Sequence, residues 1–146
     1  MHKKFLTLVL LIIFCALATA QEQLNWDDFA DVSFKPVYSA IYDTNFLKPT
    51  FGDAIESYRG KEVSIQGYFL DITGSGDIYL LSRNPMASCF FCGGAGPETI
   101  IEISFEKSPP FHTDQVIRVT GILELNADDV DHCNYILTKA KGYLVN

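Results

Sequence analysis

From residue 61 to 70 the chain alternates. Val63 and Ile65, and beyond Gly67 also Tyr68 and Leu70, keep the period-two spacing of a half-buried strand, with Phe69 on the opposite face. A glycine inside such a run predicts a bulge or sharp bend at Gly67. Gly74 and Gly76 then mark a turn, and apolar runs recur at 78–82, 99–105, 115–125 and 135–145. They are separated by a cysteine-bearing loop, the Pro109-Pro110 turn and an acidic turn. Residues 53–58 have room for one helical turn ahead of Gly60. Earlier, over 21–50, no period is visible: Trp26, Phe29, Val32, Phe34, Tyr38 and Tyr42 stand among acids and turn residues. That pattern predicts an arm packing aromatic side chains onto a body.

Five short strands joined by Gly- and Pro-rich turns, without a long amphipathic helix, predict a mostly β fold. Gly67 and Gly121 inside the first and fourth runs favour bent strands. The expected architecture is therefore a small five-stranded OB-like barrel over 59–146, preceded by an N-terminal arm over 21–58. Hydrophobic residues make up 48% of the chain, too many for a disordered segment. Acidic residues outnumber basic ones 18 to 11, which argues against a nucleic-acid partner, because neutralising phosphates takes a surplus of Lys and Arg.

The N-terminus has the marks of a secretory signal. His2, Lys3 and Lys4 form a basic start, residues 5–17 are almost wholly apolar, and Ala18, Thr19 and Ala20 supply the small residues a signal peptidase requires. The apolar stretch is shorter than the roughly 20 residues that span a bilayer. We expect cleavage after Ala20, no integral membrane segment in the product, and a periplasmic or secreted protein. Cys15 and two lysines leave with the signal, so the product is more acidic than the whole chain at −7.

Three thiols then remain, Cys89, Cys92 and Cys133, an odd number for an oxidising compartment. Cys89 and Cys92 stand two residues apart, followed by Gly93 and Gly94, a spacing that can aim two sulfurs at one centre while the glycine backbone turns its N–H groups toward them. Cys133, with His132 or His112 as fourth ligand, completes a candidate site for zinc or copper, the cations that soft thiolates select. Two other readings stay open: a Cys-x-x-Cys redox pair, and a structural loop braced by a disulfide or packed thiols, with Phe90 and Phe91 as anchors. Asp128, Asp129 and Asp131 lack the glycine and closing glutamate of an EF-hand and read as a solvated turn. No nucleophile elbow, phosphate loop or paired-carboxylate signature points to an enzyme.

Trp26-Asp-Asp-Phe29, Gly60-Lys61 leading into Val63 to Leu70, the run Tyr79 to Ser82, and a cysteine before a Gly/Pro-rich loop together resemble an uncharacterised family of exported bacterial domains. In that family a "GYxxPL" strand is followed by "FLL", a cysteine-histidine pair and a proline-rich loop. The chain departs from the pattern at Asp71, which follows Leu70 where the family has proline, at Phe91 in the place of the histidine, and at 92–97 in the place of the proline run. The resemblance implies an exported OB-like domain that handles metal. Together these readings predict a non-enzymatic metal-binding module of the cell envelope, partnered by an envelope transport or membrane-protein complex. The alternative is a protein-interaction module whose cysteines only brace a loop.

Overall fold

The five alternating runs all form strands. A computed structural model describes residues 22–74 and 78–145; the expected signal and its cleavage point at Ala20 lie outside the described residues. In chain order the strands are β1 (Glu22–Gln23), β2 (Val32–Ser39), β3 (Thr44–Phe51), β4 (Glu62–Asp71), β5 (Tyr79–Ser82), β6 (Ile100–Phe105), β7 (Val116–Leu125) and β8 (Tyr135–Leu144), and among the described residues one short α-helix, α1 (Asp53–Glu56), stands ahead of β4. β4 pairs antiparallel with β5, β5 antiparallel with β6, β6 parallel with β8, β8 antiparallel with β7, and β7 returns antiparallel to β4. The barrel is closed, mixed and five-stranded, as expected for an OB-like fold. β1 adds a short parallel strand beside Val63 and Ser64.

β4 serves two neighbours in succession. Its first part, Glu62 to Tyr68, pairs with β7, and its last part, Tyr68 to Asp71, with β5. Pairing with β7 runs through Gly67 without a register shift, so the bulge expected there is absent. Gly67 is needed for another reason: a β-carbon on it would stand 2.6 Å from the Ser82 carbonyl oxygen and 2.9 Å from Cζ2 of Trp26. Because the register is unbroken, the parity of Val63 and Ile65 carries on to Phe69. All three lie in the barrel core, while Tyr68 and Leu70 face outward, the reverse of the expected split. The irregularity falls instead on the β7–β8 pairing beside Gly121, where Lys139 adopts a left-handed φ of 51°.

Aromatic side chains fill both ends of the barrel. Phe69, Tyr79, Phe105 and Phe111 meet at one end. At the other, fully buried Phe29 meets Tyr135 edge-on with ring centroids 5.0 Å apart, and the Tyr135 hydroxyl donates to the Phe29 carbonyl at 2.8 Å. Trp26 lies 5.8 Å from Phe29 and donates through Nε1 to the Gln66 carbonyl at 2.8 Å. The arm thus docks through Trp26 and Phe29, as their isolated bulk in a polar stretch predicts.

The rest of the arm is more regular than its sequence suggests. β2 and β3 form an eight-pair antiparallel hairpin. Pro36 and Pro49 interrupt any clean alternation, yet both are tolerated because a two-stranded ribbon consists only of edges. Asp31 anchors its base: the carboxylate accepts from the backbone N–H groups of Ala54 and Ile55 at 3.0 and 3.2 Å, capping α1.

Candidate functional site

The loop 83–99 between β5 and β6 is a chain of three 3₁₀ turns, Met86–Ser88, Phe90–Cys92 and Pro97–Thr99. Its base is closed by the Arg83 N–H donating to the Thr99 carbonyl at 3.0 Å. The anchor is Cys89, fully buried against Leu70 and Leu80 on the outer face of β4 and β5. Phe91, expected to be an anchor, is instead 57% exposed. The expected role of the glycines also differs. The Gly93 and Gly94 N–H groups donate to the carbonyls of Phe90 and Cys89 at 2.9 and 3.3 Å rather than toward the sulfurs. Gly93 sits at φ 74°, which lets the 3₁₀ turn end, and a β-carbon on Gly94 would stand 2.7 Å from the Ser88 carbonyl oxygen.

Cys89, Cys92 and Cys133 are all free thiols. The exposed Cys92 thiol donates to the Met86 carbonyl at 3.2 Å, and its pKa is raised, first by a hydrogen bond with the Cys89 thiol and then by desolvation. Cys133 packs against the same outer cluster as Cys89, and burial, followed by the charge of Glu102, pushes its pKa up to about 12. His132 turns to Glu102 with Nδ1 2.8 Å from Oε1, while the other carboxylate oxygen accepts from the Cys133 N–H at 3.0 Å. His112 lies in a separate turn, its N–H donating to Gln115. Among the described residues no three His, Cys, Asp or Glu side chains converge where a cation could sit, so the structure brings Cys89 and Cys92 together but does not assemble the expected four-ligand set.

What the loops do build is a groove of about 770 Å³. Its floor is the outer face of β5 and β6, contributed by Leu80, Ile100 and Glu102. One wall is the distal half of the β2–β3 hairpin, with Val37, Tyr38, Phe46 and Leu47; Phe90 and Phe91 of the cysteine loop, Ile72 and Ile78, and the 127–134 loop complete it. Val37, Leu47, Ile78, Phe91 and Val130 are each more than 40% exposed, so side chains that normally seek burial face one common space.

The 126–134 loop is held open by one residue. The Asn126 side-chain amide donates to the carbonyls of Asp129, His132 and Cys133, and its Oδ1 accepts from the N–H groups of Asp128 and Asp129. The hairpin reaches across to this loop through Lys48 and Asp128 at 2.7 Å and through the Tyr42 hydroxyl and Asp131 at 3.5 Å. The acids expected to form a solvated turn do so, and they also form one lip of the groove. No period in residues 32–51 marks the hairpin as a wall, because Pro36 and Pro49 break its alternation. Compared with protein-family models and with curated proteins, the chain matches none.

Proposed function

We propose that this protein is an exported, non-enzymatic binding module that takes its ligand in the groove over β5 and β6. The observation carrying this reading is the convergence of exposed apolar side chains from four separate segments on the barrel face that OB folds use for ligands. Covering such surface is the main driving force available to a binding site. On the groove floor Glu102 fixes the His132 ring, with Nδ1 2.8 Å from Oε1, while Oε2 accepts from the Cys133 N–H at 3.0 Å. Export rests on the basic start, short apolar core and Ala-Thr-Ala end of residues 1–20.

Titration with the neutral apolar dye Nile red tests the site. We expect a blue-shifted emission that is lost in Ile78→Glu while the circular dichroism spectrum is unchanged. Undiminished dye binding in that variant, or amide shifts confined to the barrel end at Phe111, would overturn the reading.

A second reading, a zinc or copper site, draws on the adjacency of the Cys89 and Cys92 thiols alone. Elemental analysis of protein purified without chelator, beside a thiol count, checks it: stoichiometric metal that disappears in Cys89→Ser sustains it, and metal-free protein with reactive thiols removes it.

A further inference from the structure

We propose that the occupant of the groove is a cationic amphipathic peptide segment of another protein, its apolar side chains against the exposed Val37, Leu47, Ile78, Phe91 and Val130 and a Lys or Arg at the lip formed by Asp129 and Asp131. This rests on the groove being the binding site, and adds the chemistry of the partner.

Charge complementarity carries the argument. Four carboxylates line the groove, Glu102, Asp128, Asp129 and Asp131, against one lysine, Lys48. Lys48 is engaged by Asp128, and Glu102 by His132. Asp129 and Asp131 accept only neutral donors: Oδ1 of Asp129 takes the Asp131 N–H at 3.0 Å, and Oδ1 of Asp131 the Tyr42 hydroxyl at 3.5 Å. Among the described residues neither is in an ion pair, although the charge of both reaches the nearby His132. Two carboxylates held at the edge of an apolar trough, on a loop pinned by Asn126, favour a ligand that brings a positive charge beside apolar bulk.

The same charges disfavour the other occupants. A phosphodiester strand or a fatty-acid carboxylate would place negative charge against the lip. A second copy of a chain with formal charge −7 would do so too. A neutral sugar would meet the exposed Val37, Leu47, Ile78 and Phe91, which offer its hydroxyls no side-chain partner. The apolar contacts extend from Ile72 and Ile78 to Val130 across separate segments, which suits successive side chains of a peptide better than one compact cation.

The test uses three synthetic peptides on the isotopically labelled protein without residues 1–20: a helix-forming Leu/Lys peptide, a Leu/Glu peptide with the same apolar face, and a Ser/Lys peptide with the same charge but no apolar face. Affinity is read by calorimetry and location by amide shifts. We expect the Leu/Lys peptide to shift Leu47, Ile78 and Val130 and to bind about tenfold or more tighter than Leu/Glu. The Ser/Lys peptide should bind negligibly. Asp129→Asn/Asp131→Asn should weaken Leu/Lys binding several-fold and flatten its salt dependence, as screening of exposed charges requires. Equal binding of Leu/Lys and Leu/Glu in the groove overturns the proposed partner but leaves the binding site standing. Unchanged Leu/Lys affinity in the double variant does the same. Groove shifts with Nile red but with none of the peptides also reject the peptide alone, and no groove shifts with any probe reject both.

Discussion

Truncating Phe29 to alanine should show whether the N-terminal arm is part of the barrel or an attachment to it. Phe29 is fully buried, its ring meets Tyr135 edge-on at 5.0 Å and Trp26 at 5.8 Å, and its carbonyl accepts the Tyr135 hydroxyl. Phe29→Ala leaves a cavity among Trp26, Tyr135 and the core, and such truncations cost about 3–5 kcal/mol, of which the edge-on pair supplies roughly 0.5–1.5. Against a total stability of about 5–15 kcal/mol that is a large share. Two companions separate the contributions: Tyr135→Phe leaves the buried Phe29 carbonyl without its donor and should cost about 1–3 kcal/mol, and Phe29→Leu keeps most of the volume and should cost under about 1.5. Urea unfolding read by two probes is the assay. Trp26 is the only tryptophan, so its fluorescence reports the arm while far-ultraviolet circular dichroism reports the strands. We expect coincident transitions in the parent protein and a midpoint in Phe29→Ala shifted by the full cost. A loss below about 1 kcal/mol, or a Trp26 transition that precedes the strand transition in the parent, would refute the view that Phe29 closes the barrel end.

Gly67→Ala should lower the melting temperature through a loss of about 1–3 kcal/mol, because the new methyl meets the Ser82 carbonyl oxygen, which is backbone and cannot swing aside; a neutral result would contradict the packing of Trp26 over β4. With N-ethylmaleimide at pH 8, mass spectrometry should find Cys92 modified in the folded protein and Cys133 protected, since burial and Glu102 hold the Cys133 pKa at about 12. Equal rates at the two thiols would contradict that. The His132 pKa lies above its ordinary 6.5, first through its hydrogen bond with Glu102, then through that carboxylate's charge, with smaller contributions from Asp129 and Asp131. Its contribution to stability is therefore fully present below pH about 6.5 and is lost as pH rises through the raised folded value. Ring-proton titration by NMR should place the His132 midpoint above 6.5 and bring it down in Glu102→Gln.

The barrel strands were legible because each buries one side against the core, and alternation is the imprint of that burial. The parity past Gly67 was misread because a glycine in a strand signals either a bulge or a close approach, and only the positions of Ser82 and Trp26 decide between them. Pro36 and Pro49 concealed the β2–β3 hairpin for a related reason: a ribbon with both edges free accepts residues that a central strand rejects. At the cysteine loop the spacing of Cys89 and Cys92 predicts ligand geometry but carries no sign of burial, and Cys89 packs as a small apolar side chain under the loop. The groove had no local signature at all. It is made where residues 37–48, Ile72 and Ile78, and residues 90–100 and 127–134 meet, and each taken alone looks like surface.

The place of β8 between β6 and β7 bears on how the chain reaches this structure. The last of the five barrel strands in chain order lies between two others, in parallel register with β6 and antiparallel with β7. Until Tyr135 to Leu144 arrives, β6 lacks its second neighbour, and the pocket that receives Phe29 lacks Tyr135. Ring closure is therefore a late event dominated by contacts distant in sequence, a topology that folds in milliseconds to seconds rather than microseconds. A chain crossing a membrane N-terminus first would hold its arm, hairpin and open sheet exposed throughout that interval, and deletion of β8 should leave an open, association-prone sheet rather than a smaller barrel.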